Sequence, residues 1–282
     1  MAGWNGEWVR VLFRKEMTGL GKLGRGCCSV CLLMLVGAMG CSRARRSEPQ
    51  SASSTQAPAD PGAIPTGAAG ALIFRGKVIF DHTPQYARPW AGNALACSDC
   101  HLKSGTQAWA APMYGVARDY PSFSGRAGRV ITIEERLQEC MVRSEDGQPP
   151  PVDNDVMKAL VAYINWLSRD EFKTQAATGR GYGAIADLKG SVVRGKNLYA
   201  KKCAGCHGIA GVANPAILAP LWGPGSWNDG AGIDRAAELA AFLLRNMPAD
   251  KPGTLAAQEA MDVAAYVDSR PRPKFDRRYE KY

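Results

Sequence analysis

Two pentapeptides concentrate the chemistry of this 282-residue chain: Cys97-Ser-Asp-Cys100-His101 and Cys203-Ala-Gly-Cys206-His207. Thiols three positions apart on one helical turn can each reach one of the two vinyl groups of a single porphyrin. The adjacent imidazole then points at the iron, and the pattern is the haem c attachment signature. A zinc site built from the four cysteines would not need a histidine after each pair. No βαβ pattern surrounds either motif to suggest a thioredoxin-like redox pair. The nine cysteines leave no disulfide framework. Cys27, Cys28 and Cys31 lie in an apolar N-terminal stretch, Cys41 ends that stretch, four form the motifs, and Cys140 stands alone.

His101 supplies one axial position of the first haem, and His207 one position of the second. Of the three histidines only His82 is then uncommitted. Met113, Met141, His82 and Cys140 are candidates for the opposite face of the first haem, and spacing does not choose among them. A lone cysteine on an inward helix face is ordinarily a small inert hydrophobe. In an oxidising compartment an unpaired thiol is a liability, which favours a ligand or nucleophile.

These residues need helices to position them. In the C-terminal part, a helix over 191–202 with Val193, Leu198 and Tyr199 inward leads into the second motif. A Gly/Pro-rich loop over 215–232 carries Trp222 and Trp227. An amphipathic helix over 235–245 ends at Asn246-Met247-Pro248. A last helix, capped by Thr254, carries Met261, Val263, Tyr266 and Val267 until Arg270-Pro271 stops it. This order resembles a class I cytochrome c, which implies Met247 as the second iron ligand. A soft thioether there raises the haem potential. In the N-terminal part, an apolar helix (Leu72, Ile73, Val78, Ile79, Phe80) precedes the first motif, and an irregular aromatic stretch over 109–129 follows it. Thr132-Ile-Glu-Glu135 is a capping box opening a helix with Ile133, Leu137, Cys140 and Met141 on one face. Another helix starts at Asp153 and buries Val156, Leu160, Ile164 and Leu167, with Met157 adjoining this stripe. The expected fold is all-α: two class I-like cytochrome c domains in tandem, each wrapped around one covalent haem c. The expected boundaries are 70–172 for the first domain, 173–189 for a linker, 190–273 for the second and 274–282 for a basic tail.

Lys22 and Arg25 precede an apolar stretch from Cys27 to Met39, the length of a signal-peptide core rather than a membrane span. Val36-Gly-Ala-Met-Gly-Cys41 resembles a lipoprotein box, which implies lipidation of Cys41. Residues 1–41 are thus expected to be a leader, and residues 42–69, rich in Ser, Ala, Pro, Gln and Gly, a disordered tether. The protein is expected outside the cytoplasm, in the periplasm, tethered to a membrane by the lipid alone. Much of the net charge of +9 lies in residues 1–46 and in the tail Arg270–Arg278, read as a targeting segment and a solvated tail. No nucleic-acid partner is implied.

The stretch Asn93-Ala-Leu-Ala-Cys97 through Cys100-His101-Leu102 and Gly105-Thr106, Gly125-Arg126-x-Gly128-x-Val130-Ile-Thr-Ile-Glu-Glu-Arg136-Leu-Gln-Glu-Cys140-Met-x-Arg143-Ser144, and Met157-Lys-Ala-Leu-Val-Ala-Tyr163-Ile-Asn-Trp166-Leu-Ser168 resembles the catalytic domain of the dihaem thiosulfate dehydrogenases. The resemblance covers roughly residues 70–272. It implies an enzyme that interconverts two thiosulfates and tetrathionate. Electrons pass through haem 1 and haem 2 to an external one-electron acceptor, such as a small cytochrome c or a high-potential iron–sulfur protein. It makes Cys140 the distal ligand of haem 1 and the catalytic thiol, and maps substrate-pocket roles onto Arg126, Arg136 and Ser144. Arg136, Cys140 and Ser144, spaced i, i+4, i+8, fall on one side of a helix. Guanidinium groups offset the repulsion between two dianions and orient sulfonate oxygens. Arg143 is a neighbouring competitor for that role. Asn246 beside Met247 implies plain His207/Met247 ligation, and Glu145-Asp146 brings acidity near the anion pocket. The rival functions are a non-catalytic, membrane-tethered dihaem electron carrier and a related sulfur-compound-oxidising haem subunit.

Overall fold

The computed structural model describes residues 62–173, 176, 179–212 and 218–282. The leader, Cys41 and tether residues 42–61 lie outside the described residues. Among those described, no helix is long and apolar enough to cross a membrane.

Each domain is built on a crossing of its first and last helices. In the first, α1 (Gly67–Asp81) packs on α3 (Asp155–Leu167), with α2 (Ile133–Arg143) beside them. In the second, α4 (Val192–Lys202) packs on α6 (Ala257–Asp268), and α5 (Ala236–Asn246) packs on α6. Both crossings depend on a glycine. A Cβ on Gly76 would fall 2.0 Å from the Ala159 carbonyl oxygen, and one on Gly195 1.9 Å from that of Asp262. In each case the tyrosine four residues on, Tyr163 or Tyr266, lies 2.8 Å from that Cβ position. The two domains are therefore structural repeats with the same backbone-to-backbone contact.

Local chemistry sets the helix ends. Thr132 Oγ1 accepts from the Glu135 N–H (3.3 Å) and Glu135 Oε2 from the Thr132 N–H (2.9 Å), the expected capping box. α3 begins at Asp155 rather than Asp153, because Asn154 Oδ1 accepts from the Val156 N–H at 2.8 Å. α6 starts after Ala256, whose N–H is taken by Glu259 at 3.0 Å, while the Thr254 hydroxyl donates to the Lys251 carbonyl instead. Thr254 is thus not the cap, and Val193 is exposed rather than inward, since Gly195 and Tyr199 face α6.

The first core gathers Phe80, Leu137, Met141, Leu160, Tyr163 and Ile164. The second gathers Tyr199, Trp222, Trp227, Phe242, Met261 and Tyr266, and takes in Leu95 and Ala110 from the first domain. A small antiparallel hairpin, β1 (Ser122–Ser124) and β2 (Arg129–Ile131), interrupts the stretch expected to be irregular. α1 starts three residues inside the expected tether. The tail is not wholly solvated: Phe275 stacks under the Arg143 guanidinium (4.1 Å), and Lys274 pairs with Asp229.

Candidate active site

The helical turn Cys97–Cys100 and His101 open onto a cavity of about 780 Å³. Arg136 and Cys140 of α2, Ser144 at its C-cap and Arg126 on the hairpin turn line the same cavity. So does Met113. Met141 instead belongs to the core, and His82 is exposed against Tyr86. Of the four candidates for the face opposite His101, only Met113 and Cys140 line this space.

The residues around the motif fix its chemistry. His101 Nδ1 lies 2.6 Å from the Ala111 carbonyl, which can only accept. Nδ1 therefore carries the proton, and Nε2 keeps a free lone pair for a metal. Ala111 reaches this position with φ near +46°, and Trp109 at +63°, both in the left-handed region. The segment is held there by Trp109 and Ala111 N–H bonds to the linker carbonyls of Gly179 and Gly181, each 2.8 Å. Burial lowers the His101 pKa and so keeps the ring neutral. The Cys97 and Cys100 thiols are pushed up by burial, and Cys203 up to about 11 for the same reason. Such thiols are poor thiolate donors to a cation. Cys97, Cys100, Cys140, Cys203 and Cys206 are all free of disulfides. Among the described residues no cluster of three or more acidic, histidine or cysteine side chains could hold a bare metal ion. Paired thiols each followed by a neutral imidazole, and a large cavity walled by Phe80, Leu95, Leu137 and Ile164, fit haem c.

The second motif sits in the second core. Cys203 and Met247 pack against it, and Tyr199 Oη donates to the Gly208 carbonyl at 2.8 Å, pinning the turn after His207. Burial lowers the His207 pKa, and its buried Nδ1 has no partner among the described residues. Asn246 is buried beside Met247 and donates to the carbonyls of Trp109 (2.9 Å) and Phe242 (3.0 Å).

Charge beside Cys140 centres on one ion pair and one further guanidinium. Arg136 Nη1 contacts Glu139 Oε2 at 2.5 Å. Its guanidinium is held more firmly protonated by the neighbouring Cys140 sulfur and, after burial is set against it, by Glu139. Arg126 has its pKa lowered by burial and by the facing Arg136. Arg143 does not share the site; it is buried against Phe275 and bonds the Tyr282 carbonyl oxygen. The acidity of Glu145 and Asp146 is muted. Burial pushes the Glu145 carboxyl well above the usual range, and Asp146 turns to Asn228 (2.8 Å). Sequence reasoning did not find Glu139, although its i+3 spacing from Arg136 is a local signal. It also missed Tyr182, Trp227 and Arg235, which close the cavity from the linker and the second domain. No local signal exists for residues brought in from so far along the chain.

Residues 83–172 match the family described as SoxA/TsdA, cytochrome c domain. Residues 190–267 match the one described as cytochrome C oxidase, cbb3-type, subunit III. The thiosulfate dehydrogenase of Stutzerimonas stutzeri (strain A1501) is 38% identical over 223 residues, 77% of this chain and 73% of that protein. That of Thiomonas intermedia (strain K12) is 37% identical over 218 residues, 75% of this chain and 69% of that one. The solved structure of a thiosulfate dehydrogenase (TsdBA) from Marichromatium purpuratum, as isolated, matches with a TM-score of 0.69 at 37% identity. The match covers 77% of this chain and 49% of that chain, so this chain spans about half the length of that relative. Two tandem cytochrome c domains, each with its own thiol pair and histidine, carry two covalent haem c groups, and the chain belongs to the thiosulfate dehydrogenase family.

Proposed function

We propose that this chain oxidises thiosulfate, joining two molecules to tetrathionate, with Cys140 as the catalytic thiol and the space beside it as the substrate pocket. The observation that carries the reading is the convergence of Cys140, Arg126, Arg136 and Ser144 on the cavity that also receives Cys97, Cys100 and His101. In the reaction the Cys140 thiolate bonds the outer sulfur of one thiosulfate, with loss of two electrons, giving a Cys–S–S–SO₃⁻ adduct. A second thiosulfate attacks the outer sulfur of that adduct, the bond to Cys140 breaks, and tetrathionate leaves as the thiolate is restored. Haem c, held by Cys97, Cys100 and His101 with Cys140, and by Cys203, Cys206 and His207 with Met247, supplies one-electron acceptance.

A thiosulfate dianion must meet the adduct's sulfonate anion in the second step. A unit pair at 4 Å repels by about 4 kcal/mol at an effective dielectric of 20, and a dianion facing a monoanion by roughly twice that. Arg126 and Arg136 offset this repulsion and can orient sulfonate oxygens by paired N–H donation. The external acceptor is a one-electron carrier such as a small cytochrome c or a high-potential iron–sulfur protein. The apolar N-terminal stretch and Cys41 support a periplasmic protein tethered by lipid.

The test is thiosulfate-dependent reduction of an artificial one-electron acceptor by the dihaem protein, with tetrathionate quantified, for wild type and Cys140→Ala. Wild type should turn over. The variant should fall to background with both haems still attached. Full activity in Cys140→Ala would remove the thiol from the chemistry. An inactive wild type with full haem content would leave the electron-carrier reading.

A further inference from the structure

We infer that Glu139 is the positioning residue of the anion pocket, one buried carboxylate that sets both Arg126 and Arg136 in place. The inference rests on the thiosulfate reading above and goes beyond it, because it assigns a role to an acidic side chain in a site meant for dianions.

Glu139 is 2% exposed and immediately precedes Cys140. Its two oxygens have different tasks. Oε2 takes the Arg136 Nη1 at 2.5 Å. Oε1 accepts from the Ser124 hydroxyl at 3.4 Å, and that hydroxyl in turn accepts from the Ala127 N–H at 3.2 Å. The Gly128 N–H to the Ser124 carbonyl, 2.9 Å, closes the same turn. Arg126 sits on this turn, between Ser124 and the Ala127 and Gly128 N–H groups that bind it. One oxygen therefore fixes a guanidinium on α2 directly, and the other fixes the hairpin turn that carries the second guanidinium.

The electrostatics give the inference a sign. Arg136 and Glu139 together are neutral, so Arg126 supplies the pocket's uncompensated charge. If Glu139 acted only as a charge, removing it would make the pocket more positive and thiosulfate would bind more tightly. If it acts by position, removing it frees both arginines and binding weakens. The orientation of paired donors is lost, although the number of cationic side chains is unchanged.

The experiment compares wild type, Glu139→Gln and Ser124→Ala as dihaem proteins. KM and kcat are read for thiosulfate, together with the direct binding of thiosulfate to the oxidised protein, followed by its visible spectrum. Glu139→Gln should raise KM and the dissociation constant roughly ten- to a hundredfold, the range for loss of a charged hydrogen bond, with kcat within about threefold. Ser124→Ala keeps the carboxylate and cuts only the tether to the turn, and should raise both constants by a smaller factor. Unchanged or tighter binding in Glu139→Gln overturns the inference. So does a Glu139→Gln variant whose haem spectrum shifts while its KM does not, since the arginines would then serve the haem. Should Glu139→Gln fail to accumulate as holoprotein, Ser124→Ala decides, and an unchanged KM there overturns it. A wild type that binds thiosulfate but does not oxidise it sinks the function while leaving this inference standing on the binding data.

Discussion

Three buried carboxylates show how one residue type is made to serve different ends. Glu139 is neutralised by Arg136 and tied to the hairpin. Glu145, 3% exposed, has an Oε2 without a partner among the described residues, and burial pushes it towards its neutral form. Asp262, 2% exposed, is the most fully paired. It accepts from Arg194 Nε (2.6 Å) and Nη2 (2.8 Å), the Ser191 N–H (2.8 Å) and Gln258 Nε2 (3.0 Å). Those bonds, Arg194 first, hold its pKa below the ordinary carboxylate value of about 4. A depressed folded-state pKa means the bonds stabilise the protein fully above that value, and the contribution is lost as pH falls through the lower, folded one. Asp262→Asn should therefore lower Tm by a few degrees at pH 7, and the gap from wild type should close as the pH drops below 4. A gap constant from pH 7 to pH 3 would show that shape, not charge, holds α4 to α6. The Arg136–Glu139 pair can be read from sequence at i, i+3, whereas Asp262 and Arg194 lie too far apart in the chain for any local pattern to join them.

At the scale of elements, the two glycine crossings do what no apolar stripe announces. Periodicity placed Val193 inward on α4, but the helix turns so that Gly195 meets α6 with no side chain between the backbones. A stripe reports where side chains bury, and a close crossing buries a position that has none. The capping box of α2 was legible because its signal is four consecutive residues. The hairpin was not, since strands of three residues are too short for an alternation to register. Gly195→Ala should cost at least about 1–3 kcal/mol, the range for overpacking, because the new methyl meets a fixed carbonyl rather than a movable side chain. Denaturant unfolding of the holoprotein should show a lower midpoint at unchanged slope. A midpoint within error of wild type would mean that α4 can lift from α6 freely, and that the crossing does not hold the second motif in place.

For the molecule as a whole, tandem domains were readable from the repeated motif, but not that the second domain helps to wall the first domain's cavity. Tyr182, Trp227, Ile233 and Arg235 all face that cavity, so its shape depends on how the domains dock. Side-chain amides fasten the docking. Asn93 Nδ2 donates to Ser144 O (2.7 Å) and to Ser226 O (3.2 Å), joining the end of α2 to the second domain's loop. Asn228, fully buried, donates to Val142 O and Asp146 Oδ1, both at 2.8 Å, while its Oδ1 accepts from the Gly230 N–H at 3.0 Å. Asn228→Ala strands the buried Val142 carbonyl, a loss of about 1–3 kcal/mol, and also releases the half-buried Gly230 N–H. The loss falls on the contact between domains rather than on either core. Calorimetry should then resolve two unfolding transitions where the wild type gives one, and KM for thiosulfate should rise while both haems stay attached. A single transition at the wild-type temperature with KM unchanged would mean that the wall of the site is held by the apolar contact of Leu95 and Ala110 alone.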